Sequence, residues 1–470
     1  MMKQHLDALK DSKYCPLWHD QDIRPETLPA LSVNTSCELL IVGGGFTGLW
    51  AALQAKERQP DADIILIEKT TISDGASGRN GGFLSSSLAH GETNTDHQFP
   101  GEADQLHQLG QQNLKEFIET LERYNIDARY EKVGETSVAT DQASVDALRA
   151  TYESEKAKGE DVVWFNQEEM QAQVNSPTYL AGLWYRGGQD GVVDPARLCW
   201  GLKRVILELG VRIYEKTPLT SLKKLGQDKM EVTCSDFKII SDKVLMATNA
   251  YRNPIGQARR SIIPVWDYQI ATEPLNQEQL DSIGWHKSRH ALSNHANMFH
   301  YYRFTKDNRI TWGGGGAVRY YFNNGIDQSY ADIPERFAQL SQEFFETFPQ
   351  LKGIKFSHRW SGIIATSTRF CVVPGVAYDG RVAWAIGYTG LGVGASRFGA
   401  RIGIELLGYK PSEILDMQFV KKKPIPWAPE PLRWVGVYLT HKALEKADAN
   451  GGKRGLWLKL LDMLNLGFTC

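Results

Sequence analysis

Residues 38–68 read ELLIVGGGFTGLWAALQAKERQPDADIILIE: an apolar strand, a glycine-rich turn, a helix pattern and a second apolar strand, in that order. The turn has the pattern Gly43-x-Gly45-x-x-Gly48, and Glu68 closes the second strand. A lone glycine pattern would be weak evidence, because glycine-rich turns are common. Since strand, glycines, helix, second strand and terminal acid all occur in register, the stretch predicts a βαβ unit that binds a dinucleotide.

Each part of this unit has a physical task. Gly43 permits the tight turn, Gly45 has no Cβ to block a pyrophosphate, and Gly48 lets the helix pack closely on the strand. The helix N-terminus directs free N–H groups and a positive dipole end towards the diphosphate. Glu68 can accept hydrogen bonds from a ribose diol and would repel a 2′-phosphate.

The composition bounds the class of protein. The 470 residues are 42% hydrophobic, enough for a large core divided into two or three lobes. With 53 basic and 55 acidic residues, the net charge of −2 gives no bulk reason to expect a nucleic-acid partner. The first residues lack the apolar core of a secretory signal, and no apolar run is long enough for a transmembrane segment. The six cysteines lie far apart without a CxxC pair, so we expect reduced thiols, no metal site and a cytoplasmic protein.

Hydrophobic periodicity predicts further elements along the chain. Pro16, Pro25 and Pro29 discourage regular structure in residues 1–35, which we expect to form an arm. Further helices are expected at 102–124, 142–158, 195–210 and 335–348. Strands are expected at Val211–Tyr214, Glu231–Cys234, Val244–Ala247, Val265–Thr272, Phe299–Thr305, Ile310–Gly313 and Val382–Ile386.

Two further glycine-rich segments point to the same ligand. DGASGRNGGF (74–83) follows the Glu68 strand closely and supplies backbone N–H donors and the cation of Arg79. GYTGLGVGASRFGARIGIELLG (387–408) leads from glycines into a helix, and so presents a second positive helix end. Two such helix starts, far apart in sequence, suit a long cofactor held at its pyrophosphate and at a reactive ring.

The chain resembles the D-amino-acid oxidase-like superfamily of FAD-dependent oxidoreductases. It is similar above all to the glycine and sarcosine oxidase branch and to the bacterial gamma-glutamylputrescine oxidase type. The resembling segments keep the family order between residue 39 and about residue 408. They are VGGGFTGLWAAL (42–53), ASGRNGGF (76–83), DGVVDPARL (190–198), TPLTSL (217–222), VLMATNAY (244–251), PVWDYQIATEPL (264–275), YYRFTKDNRITWGGG (301–315) and GYTGLGVGASRFG (387–399).

The resemblance implies an α/β fold with a Rossmann-like FAD-binding lobe and an interleaved substrate lobe built on an antiparallel sheet. The expected division gives residues 36–95, 185–260 and 355–410 to the FAD-binding lobe and residues 96–184 and 261–354 to the substrate lobe. Residues 1–35 form the N-terminal arm and residues 411–470 a C-terminal extension.

The resemblance also implies which residues hold FAD. The pyrophosphate, the adenosine and the flavin would each be held by separate segments. The expected FAD-binding residues are Gly43, Gly45, Phe46, Thr47, Gly48, Glu68, Lys69, Ser77, Gly78, Arg79, Asn80, Gly81, Gly82, Leu219, Thr248, Asn249, Gly362, Gly390, Leu391, Gly392, Val393 and Gly394.

The chemistry implied is hydride transfer from the carbon next to a neutral amine to flavin N5, giving an imine that water hydrolyses. Tyr268, Tyr302 and Tyr388 are expected to act in catalysis, because aromatic rings attract amines near their cationic form and exclude water. They belong to a set of aromatic residues expected around the cavity, although aromatic residues in strands are more often core. The others are Trp266, Tyr301, Trp312 and Trp360.

Three positions depart from the family pattern. Sarcosine-type relatives place a lysine near flavin N5, where this chain has Thr311, and a carboxylate-binding lysine after the last glycines, where it has GLGVG (390–394). These changes favour an amine without an α-carboxylate, with oxygen or an electron carrier as acceptor. Cys371 aligns with a proline of the ordinary motif, so FAD is expected to be noncovalent.

The expected function is therefore FAD-dependent oxidation of the C–N bond of a polyamine-derived or N-substituted amine. A glycine/sarcosine-type amino-acid oxidase is the first alternative. A flavoprotein with a tRNA-modifying or regulatory role is the second, and the near-neutral charge argues against it.

The C-terminal extension combines a basic run with an amphipathic helix in which Trp457, Leu460, Leu461 and Leu464 recur at helical spacing. Such a helix can lie on a membrane surface. More often it packs against its own protein or a sister subunit, which would make the protein a homo-oligomer.

Overall fold

The structure, a computed structural model, describes residues 2–464, so Cys470 lies outside the described residues. The strands are β1 Lys13–Tyr14, β2 Thr35–Val42, β3 Ile64–Ile67, β4 Phe83–Leu84, β5 Glu135–Ala139, β6 Val162–Phe165, β7 Ala181–Tyr185, β8 Gly191–Val192, β9 Arg212–Tyr214, β10 Leu219–Leu225, β11 Lys229–Cys234, β12 Phe237–Met246, β13 Ile262–Thr272, β14 Ala291–Asn294, β15 His300–Phe304, β16 Ile310–Gly314, β17 Arg319–Tyr320, β18 Phe356–Ser367, β19 Val373–Ala377 and β20 Val382–Ile386. The α-helices are α1 Met2–Leu9, α2 Phe46–Arg58, α3 Gly91–Gln98, α4 Ala103–Arg123, α5 Gln142–Lys158, α6 Gln167–Gln173, α7 Pro195–Glu208, α8 Gly256–Arg260, α9 Gln277–Ile283, α10 Pro334–Thr347, α11 Gly392–Leu406, α12 Gln418–Lys421, α13 Leu432–Asp448 and α14 Leu456–Met463.

The first large sheet contains the βαβ unit. Within residues 2–464 it has eight strands, in the order β10, β11, β12, β2, β3 and β9, with β20 paired to β12 and β19 to β20. The central strands β20, β12, β2, β3 and β9 are parallel. Their carboxyl ends therefore meet at one edge of the sheet, where α2 begins directly after β2.

Strand β2 is buried on both faces. Leu39 and Ile41 pack in a core with residues of α2, α7 and α11, whereas Leu40 and Val42 pack in a second core on the opposite face. Parallel strands covered on both sides read as continuous apolar runs, which explains the sequence of β2.

The second large sheet is mostly antiparallel. It has ten strands among the same described residues, in the order β1, β18, β13, β16, β15, β14, β5, β7 and β6, with β17 also paired to β13. β1 with β18 and β14 with β5 are parallel pairs within it. On one face, Trp266, Tyr268 and Ile270 of β13 pack in a core with Phe337 and Phe344 of α10. The α/β fold with an interleaved second sheet is confirmed.

The four helices and seven strands that periodicity predicts are confirmed. The largest difference is at β12, which begins at Phe237 instead of Val244 because residues 237–241 pair with β11. The expected irregular arm is wrong at its start, since α1 and β1 precede the three prolines. Leu9 packs in the core beside α10, and Lys13 pairs with His358. Proline restricts only its own neighbourhood, so it leaves these residues free to form regular structure.

Helix α4, which the expected division gives to the substrate lobe, packs on the first sheet's helices. Its Leu114, Phe117 and Leu121 belong to the core that contains α2 and α11. The domain boundaries stay a proposal. No helix of residues 2–464 is long and apolar enough to cross a membrane.

In the C-terminal extension, α13 and α14 pack against each other. Leu444 and Leu458 form a small core with Trp457 and Leu461 beside it, and Trp457 Nε1 donates to Thr440 Oγ1 at 3.0 Å. Leu460 and Leu464, expected on the same face as Trp457, are exposed instead. The apolar residues of α14 therefore divide into an inner and an outer face.

Candidate functional site

A cavity of about 2830 Å³ is lined by residues of both large sheets. At one end it contacts the turn between β2 and α2, the end of β3 and the segment 74–83. At the other end it contacts β13, the start of β15 and the helix α13. A cavity of this volume and lining suits a long cofactor beside the glycine turn and a small substrate beside β13.

The turn between β2 and α2 has no room for side chains. Gly43 has φ +117°, and a Cβ there would lie 2.5 Å from Ala247 O. A Cβ on Gly45 would lie 2.7 Å from Ser77 Oγ, and one on Gly48 only 1.9 Å from Gly43 O. The glycines thus bring the α2 N-terminus to the cavity wall, where Phe46 N donates to Ser77 Oγ at 2.9 Å and the first N–H groups have no partner within the helix.

Glu68 lies at the end of β3 and also lines the cavity. Its Oε2 accepts from Gly44 N at 2.8 Å, and its Oε1 accepts from Thr70 N at 2.9 Å. Burial raises the pKa of this carboxyl. Thr70 Oγ1 also donates to Oε1 at 3.1 Å, so the acceptor capacity that remains for a ribose diol lies on Oε2, which accepts one hydrogen bond.

The segment 74–83 is fixed to the second sheet through Arg79. The Arg79 carbonyl accepts from Gln269 Nε2 and from Trp360 Nε1, both at 2.8 Å. Its guanidinium Nη1 donates to Ser361 O at 3.0 Å. Asn80 Oδ1 accepts from Gly82 N at 2.8 Å, which holds the turn that follows. The segment therefore lies where the two sheets approach each other.

The start of α11 is fixed by contacts from two other segments. Asn249 Oδ1 accepts from Gly387 N at 3.1 Å, and Thr47 Oγ1 donates to Tyr388 Oη at 2.8 Å. Gly390 has φ +96°, a conformation that L side chains rarely adopt. The N-termini of α2 and α11, which lie far apart in sequence, thus face the same cavity.

One buried carboxylate lies in the second half of the cavity. Asp267 Oδ1 accepts from Tyr268 N at 2.8 Å and from Gly314 N at 3.2 Å, and Oδ2 accepts from Tyr301 Oη. Burial raises the pKa of Asp267 to about 6. Asp267, Gln269 and Tyr301 all line the cavity, next to the segment 74–83. The site therefore places a weakly acidic carboxyl group beside the expected position of a redox ring.

Comparison with known proteins identifies the family. The family model described as FAD dependent oxidoreductase (DAO) matches residues 38–406. The chain belongs to this family of FAD-dependent oxidoreductases. Gamma-glutamylputrescine oxidoreductase of Escherichia coli is 28% identical over 385 residues, covering 80% of this chain and 85% of that protein. The probable oxidoreductase OrdL of Haemophilus influenzae is 27% identical over 393 residues, covering 81% and 84%.

Solved structures agree on the fold. Glycine oxidase from Bacillus cereus superposes with a TM-score of 0.64 at 17% identity, covering 81% of this chain and 98% of that structure. Iminodiacetate oxidase from Chelativorans sp. superposes with a TM-score of 0.64 at 16% identity, covering 80% and 96%. The family model shows that the protein is an FAD-dependent oxidoreductase, and the solved structures show its fold.

The residues present fit FAD. A side chain on any of the three glycines would clash with neighbouring atoms, so the turn leaves its backbone open to a ligand. The N-termini of α2 and α11 and the acceptor carboxylate of Glu68 face the same cavity. We propose that the expected FAD-binding residues that line the cavity hold the cofactor. These are Gly43, Gly45, Phe46, Thr47, Glu68, Lys69, Ser77, Arg79, Asn80, Gly81, Gly82, Leu219, Thr248, Asn249, Gly362, Gly390, Leu391, Gly392 and Val393.

Three expected FAD-binding glycines lie behind the cavity wall. Gly48 packs on Gly43, as its place in the motif requires. A Cβ on Gly78 would lie 2.2 Å from Ser73 O, and one on Gly394 would lie 2.3 Å from Ser85 O. Their role is the close approach of backbone segments, and we do not place them in contact with FAD.

Two of the three expected catalytic tyrosines face away from the cavity. Tyr268 donates to Tyr330 O at 2.6 Å, and Tyr302 hydrogen-bonds Tyr179 at 2.7 Å within the aromatic core beside α10. Tyr388 lines the cavity, as do Trp266 and Tyr301. Trp312 and Trp360 are buried behind it.

The physical reason for this difference is the alternation of side chains along a strand. In β13, Val265, Asp267 and Gln269 line the cavity, whereas Tyr268 and Ile270 point into the core. Tyr268 and Tyr302, expected in catalysis because of their aromatic rings, therefore lie on the core face of their strands. Polar residues alternating with apolar ones in PVWDYQIATEPL (264–275) were the signal that could have found Asp267 and Gln269.

Two further positions lie behind the cavity wall among the described residues. Thr311 is buried in β16, directly opposite Arg303 of β15. Cys371 is also buried, and Arg369 Nη2 approaches its Sγ at 3.4 Å. Neither residue lines the cavity, so the structure offers no direct route from the Cys371 thiol to the cofactor site.

Proposed function

We propose that the protein oxidises the C–N bond of a polyamine-derived or N-substituted amine. The observation that carries this proposal is the Asp267 carboxyl group, which is buried, lines the cavity and has no cationic side chain hydrogen-bonded to it among residues 2–464. A buried carboxylate is stabilised by a hydrogen-bonded cation, which no side chain of residues 2–464 supplies. A substrate ammonium group matches this need.

Asp267 has a defined task in this proposal. Its Oδ2 keeps a lone pair beside the Tyr301 hydrogen bond and can accept an N–H of the substrate. Because its pKa is raised to about 6, it is ionised at neutral pH and can also take up a proton from the substrate nitrogen. Bound FAD supplies the two-electron oxidation.

Aromatic side chains complete the substrate end of the cavity. The Tyr301 ring lines it beside Asp267, where it can attract a cationic amine and limit access of water. Tyr388 lines the cavity where its hydroxyl contacts Thr47, and most of the Trp266 side chain is buried in the core. We propose Tyr388 as the expected catalytic residue that keeps contact with the cavity. The E. coli relative that carries the name gamma-glutamylputrescine oxidoreductase supports an amine derived from a polyamine.

A second candidate is an amino-acid oxidase of the glycine/sarcosine type. Arg336 of α10 lines the cavity, and its Nε is buried without a hydrogen-bond partner among the described residues. A guanidinium binds a carboxylate well. This observation favours a substrate that carries a carboxylate, at the α-carbon or further along the chain.

Anaerobic reduction of the flavin tests both candidates. The purified protein is mixed with simple diamines, gamma-glutamylated polyamines, sarcosine and glycine, and loss of flavin colour is followed. The proposal expects diamines or gamma-glutamylated amines to reduce the flavin at least tenfold faster than sarcosine or glycine, about the effect of one charged hydrogen bond. Faster reduction by sarcosine or glycine, lost in Arg336→Gln, would instead establish the second candidate.

The same sample reports the electron acceptor when air is admitted. Rapid reoxidation identifies oxygen, and reoxidation only by an added carrier identifies a dehydrogenase. We further propose a cytoplasmic location, because the five described cysteines are free thiols, as a reducing compartment favours.

A further inference from the structure

Arg336 of α10 is a cation without a partner in the protein. Its Nε is buried, and its guanidinium makes no hydrogen bond, ion pair or ring contact with the described residues 2–464. Two carboxylates near it in the chain, Asp332 and Glu343, are paired with other side chains at 2.9 Å and 3.2 Å. Glu335 is exposed and points to another side of the helix. A partly buried guanidinium is stabilised by a bound anion, which no side chain of these residues supplies.

The other arginines and lysines of β17 and α13 that line the same end of the cavity differ from Arg336. Each donates to an acceptor within the protein. They are Arg319, with Val318 O at 2.6 Å, Arg433, with Glu430 at 3.0 Å, and Lys442, with Glu445 at 2.7 Å. Burial lowers the pKa of Arg319, and the charge of Arg336 lowers it further. The two cations therefore lie close enough to repel each other, and an anion bound by Arg336 would relieve this repulsion.

Arg336 and Asp267 line one cavity but lie on opposite sides of β13. Helix α10 packs on the face of β13 that carries Tyr268, whose ring contacts Phe337 at 5.5 Å between centroids, whereas Asp267 lies on the other face. Burial and the Tyr321 hydroxyl raise the pKa of Tyr268, and the charge of Arg336 opposes this rise. The guanidinium is therefore on the Tyr268 side of the strand.

The cavity reaches both sides of β13 where the pairing of this strand changes. Residues 265–266 pair with β17, and residues 269–271 pair with β16. Between them, Asp267 and Tyr268 pair with β18 alone among the described strands. The turn 314–316, which leaves β16 beside this gap, lines the cavity. One elongated ligand can therefore contact both sides of the strand.

We propose that the substrate is an amine whose far end carries a carboxylate, with its nitrogen at Asp267 and its carboxylate at Arg336. This inference rests on the proposed amine oxidation and names the class of amine. A guanidinium binds a carboxylate through two parallel hydrogen bonds. In an α-amino acid the nitrogen and the carboxyl carbon are only about 2.5 Å apart, as the bond lengths require, so it cannot contact groups on opposite sides of a strand. An amine with several methylene groups before its carboxylate can do so.

Anaerobic flavin reduction by length-matched pairs of compounds tests the proposal. The ω-amino acids 4-aminobutyrate, 6-aminohexanoate and 8-aminooctanoate are compared with butylamine, hexylamine and octylamine. We expect at least one ω-amino acid to half-saturate the reduction at a concentration at least about tenfold below that of its matched alkylamine, the effect of one charged hydrogen bond. Equal or weaker saturation by the ω-amino acid in all three pairs would overturn the proposal.

Variants of Arg336 assign the difference to this residue. Arg336→Gln should raise the half-saturating concentration of the best ω-amino acid by at least about tenfold and leave that of its matched alkylamine unchanged. Arg336→Lys keeps the charge and should lie between the parent and Arg336→Gln. Lys442→Gln removes a paired cation from the same cavity wall, so it is the matched control and should behave as the parent does. A loss that is equal for both members of the pair would mean that Arg336 is only structural.

Calorimetric titration with hexanoate separates this inference from the proposed function, because hexanoate has a carboxylate and no amine to oxidise. Binding that Arg336→Gln weakens and Lys442→Gln does not supports the carboxylate subsite. Equal binding by the parent and Arg336→Gln, or no binding, overturns the subsite even if amines reduce the flavin. If no amine reduces the flavin while hexanoate binding still depends on Arg336, the proposed amine oxidation is wrong and the subsite is supported.

Discussion

The pyrophosphate end and the Asp267 end of the cavity are built in different ways. The pyrophosphate end is formed by backbone: Gly43, Gly45 and Gly48 lie within six residues, and a Cβ on each would clash with a backbone oxygen or with Ser77 Oγ. At the second, the side chains of Asp267, Gln269 and Tyr301 come from two strands and meet only because those strands lie in one sheet. Local sequence therefore specifies the first end, and tertiary structure assembles the second.

The largest expected effect breaks the pyrophosphate end. In Gly48→Ala the new Cβ would lie 1.9 Å from Gly43 O, a backbone atom that cannot move without opening the turn. We expect loss of bound FAD and a destabilisation of about 1–3 kcal/mol or more. Flavin absorbance per chain and the melting temperature measure both. Gly256→Ala is the control, because beyond its chain neighbours and the backbone of its own helix the nearest atom to a Cβ there is Nη1 of the flexible Arg260 side chain, at 3.7 Å. Retention of FAD by Gly48→Ala would refute this account of the turn.

The next effect concerns ligand binding at the Asp267 end. A quaternary ammonium analogue keeps a fixed charge, so the pH dependence of its binding reports the protein alone. Its affinity should fall as the pH drops through about 6, where Asp267 takes up a proton. Asp267→Asn should weaken binding at pH 8 by about tenfold to a hundredfold and remove the pH dependence. Flavin absorbance changes give the affinity. An unchanged pH profile in this variant would assign the titration to another group.

The same substitution should stabilise the protein. The pKa of Asp267 is about 6 in the folded protein and 3.8 in its ordinary state, so the folded protein binds this proton more tightly than the unfolded chain does. The protonated carboxyl group therefore stabilises the fold at low pH, and this stabilisation is lost as the pH rises through 6. The amide that replaces the carboxyl group cannot ionise. The Asp267→Asn variant should therefore be more stable than the parent by roughly 3 kcal/mol at pH 8, and by less at pH 5. Urea unfolding at the two pH values measures the difference. A less stable variant at pH 8 would contradict the burial of an ionised carboxylate.

Substitutions of the neighbouring tyrosines Tyr301 and Tyr302 compare the cavity face of β15 with its core face. Tyr301→Phe removes a donor to Asp267, so the pH midpoint for binding of the quaternary analogue should move upward. Tyr302→Phe removes the partner of Tyr179 in the core and should cost about 1–3 kcal/mol of stability without moving that midpoint. Unfolding and ligand titration on both variants test the pair. A shifted midpoint in Tyr302→Phe would mean that the two faces are coupled.

The smallest effect is expected at Cys371. It is buried and does not line the cavity, so Cys371→Ala should leave flavin content unchanged. Acid precipitation should release yellow colour into the supernatant from both proteins. Colour that stays with the parent pellet but not with the variant pellet would show a covalent link through this thiol.

The sequence by itself determined the FAD-binding fold. The whole fingerprint from Leu39 to Glu68 is contained in thirty residues, so it can be read from local sequence. The same holds for the start of α11 and for the helices and strands with clear periodicity. The structure adds that Gly43 and Gly45 also make room for Ala247 and Ser77.

Only the tertiary structure decided which side chains face the substrate. Tyr301 and Tyr302 are equivalent in sequence, yet one lines the cavity and the other lies in the core, because a strand turns successive side chains to opposite faces. The face that becomes the cavity depends on which side α10 covers, a contact between segments more than thirty residues apart. The division of the apolar residues of α14 into an inner and an outer face likewise depends on tertiary packing, because Leu444 of α13 and Leu458 of α14 meet in one small core.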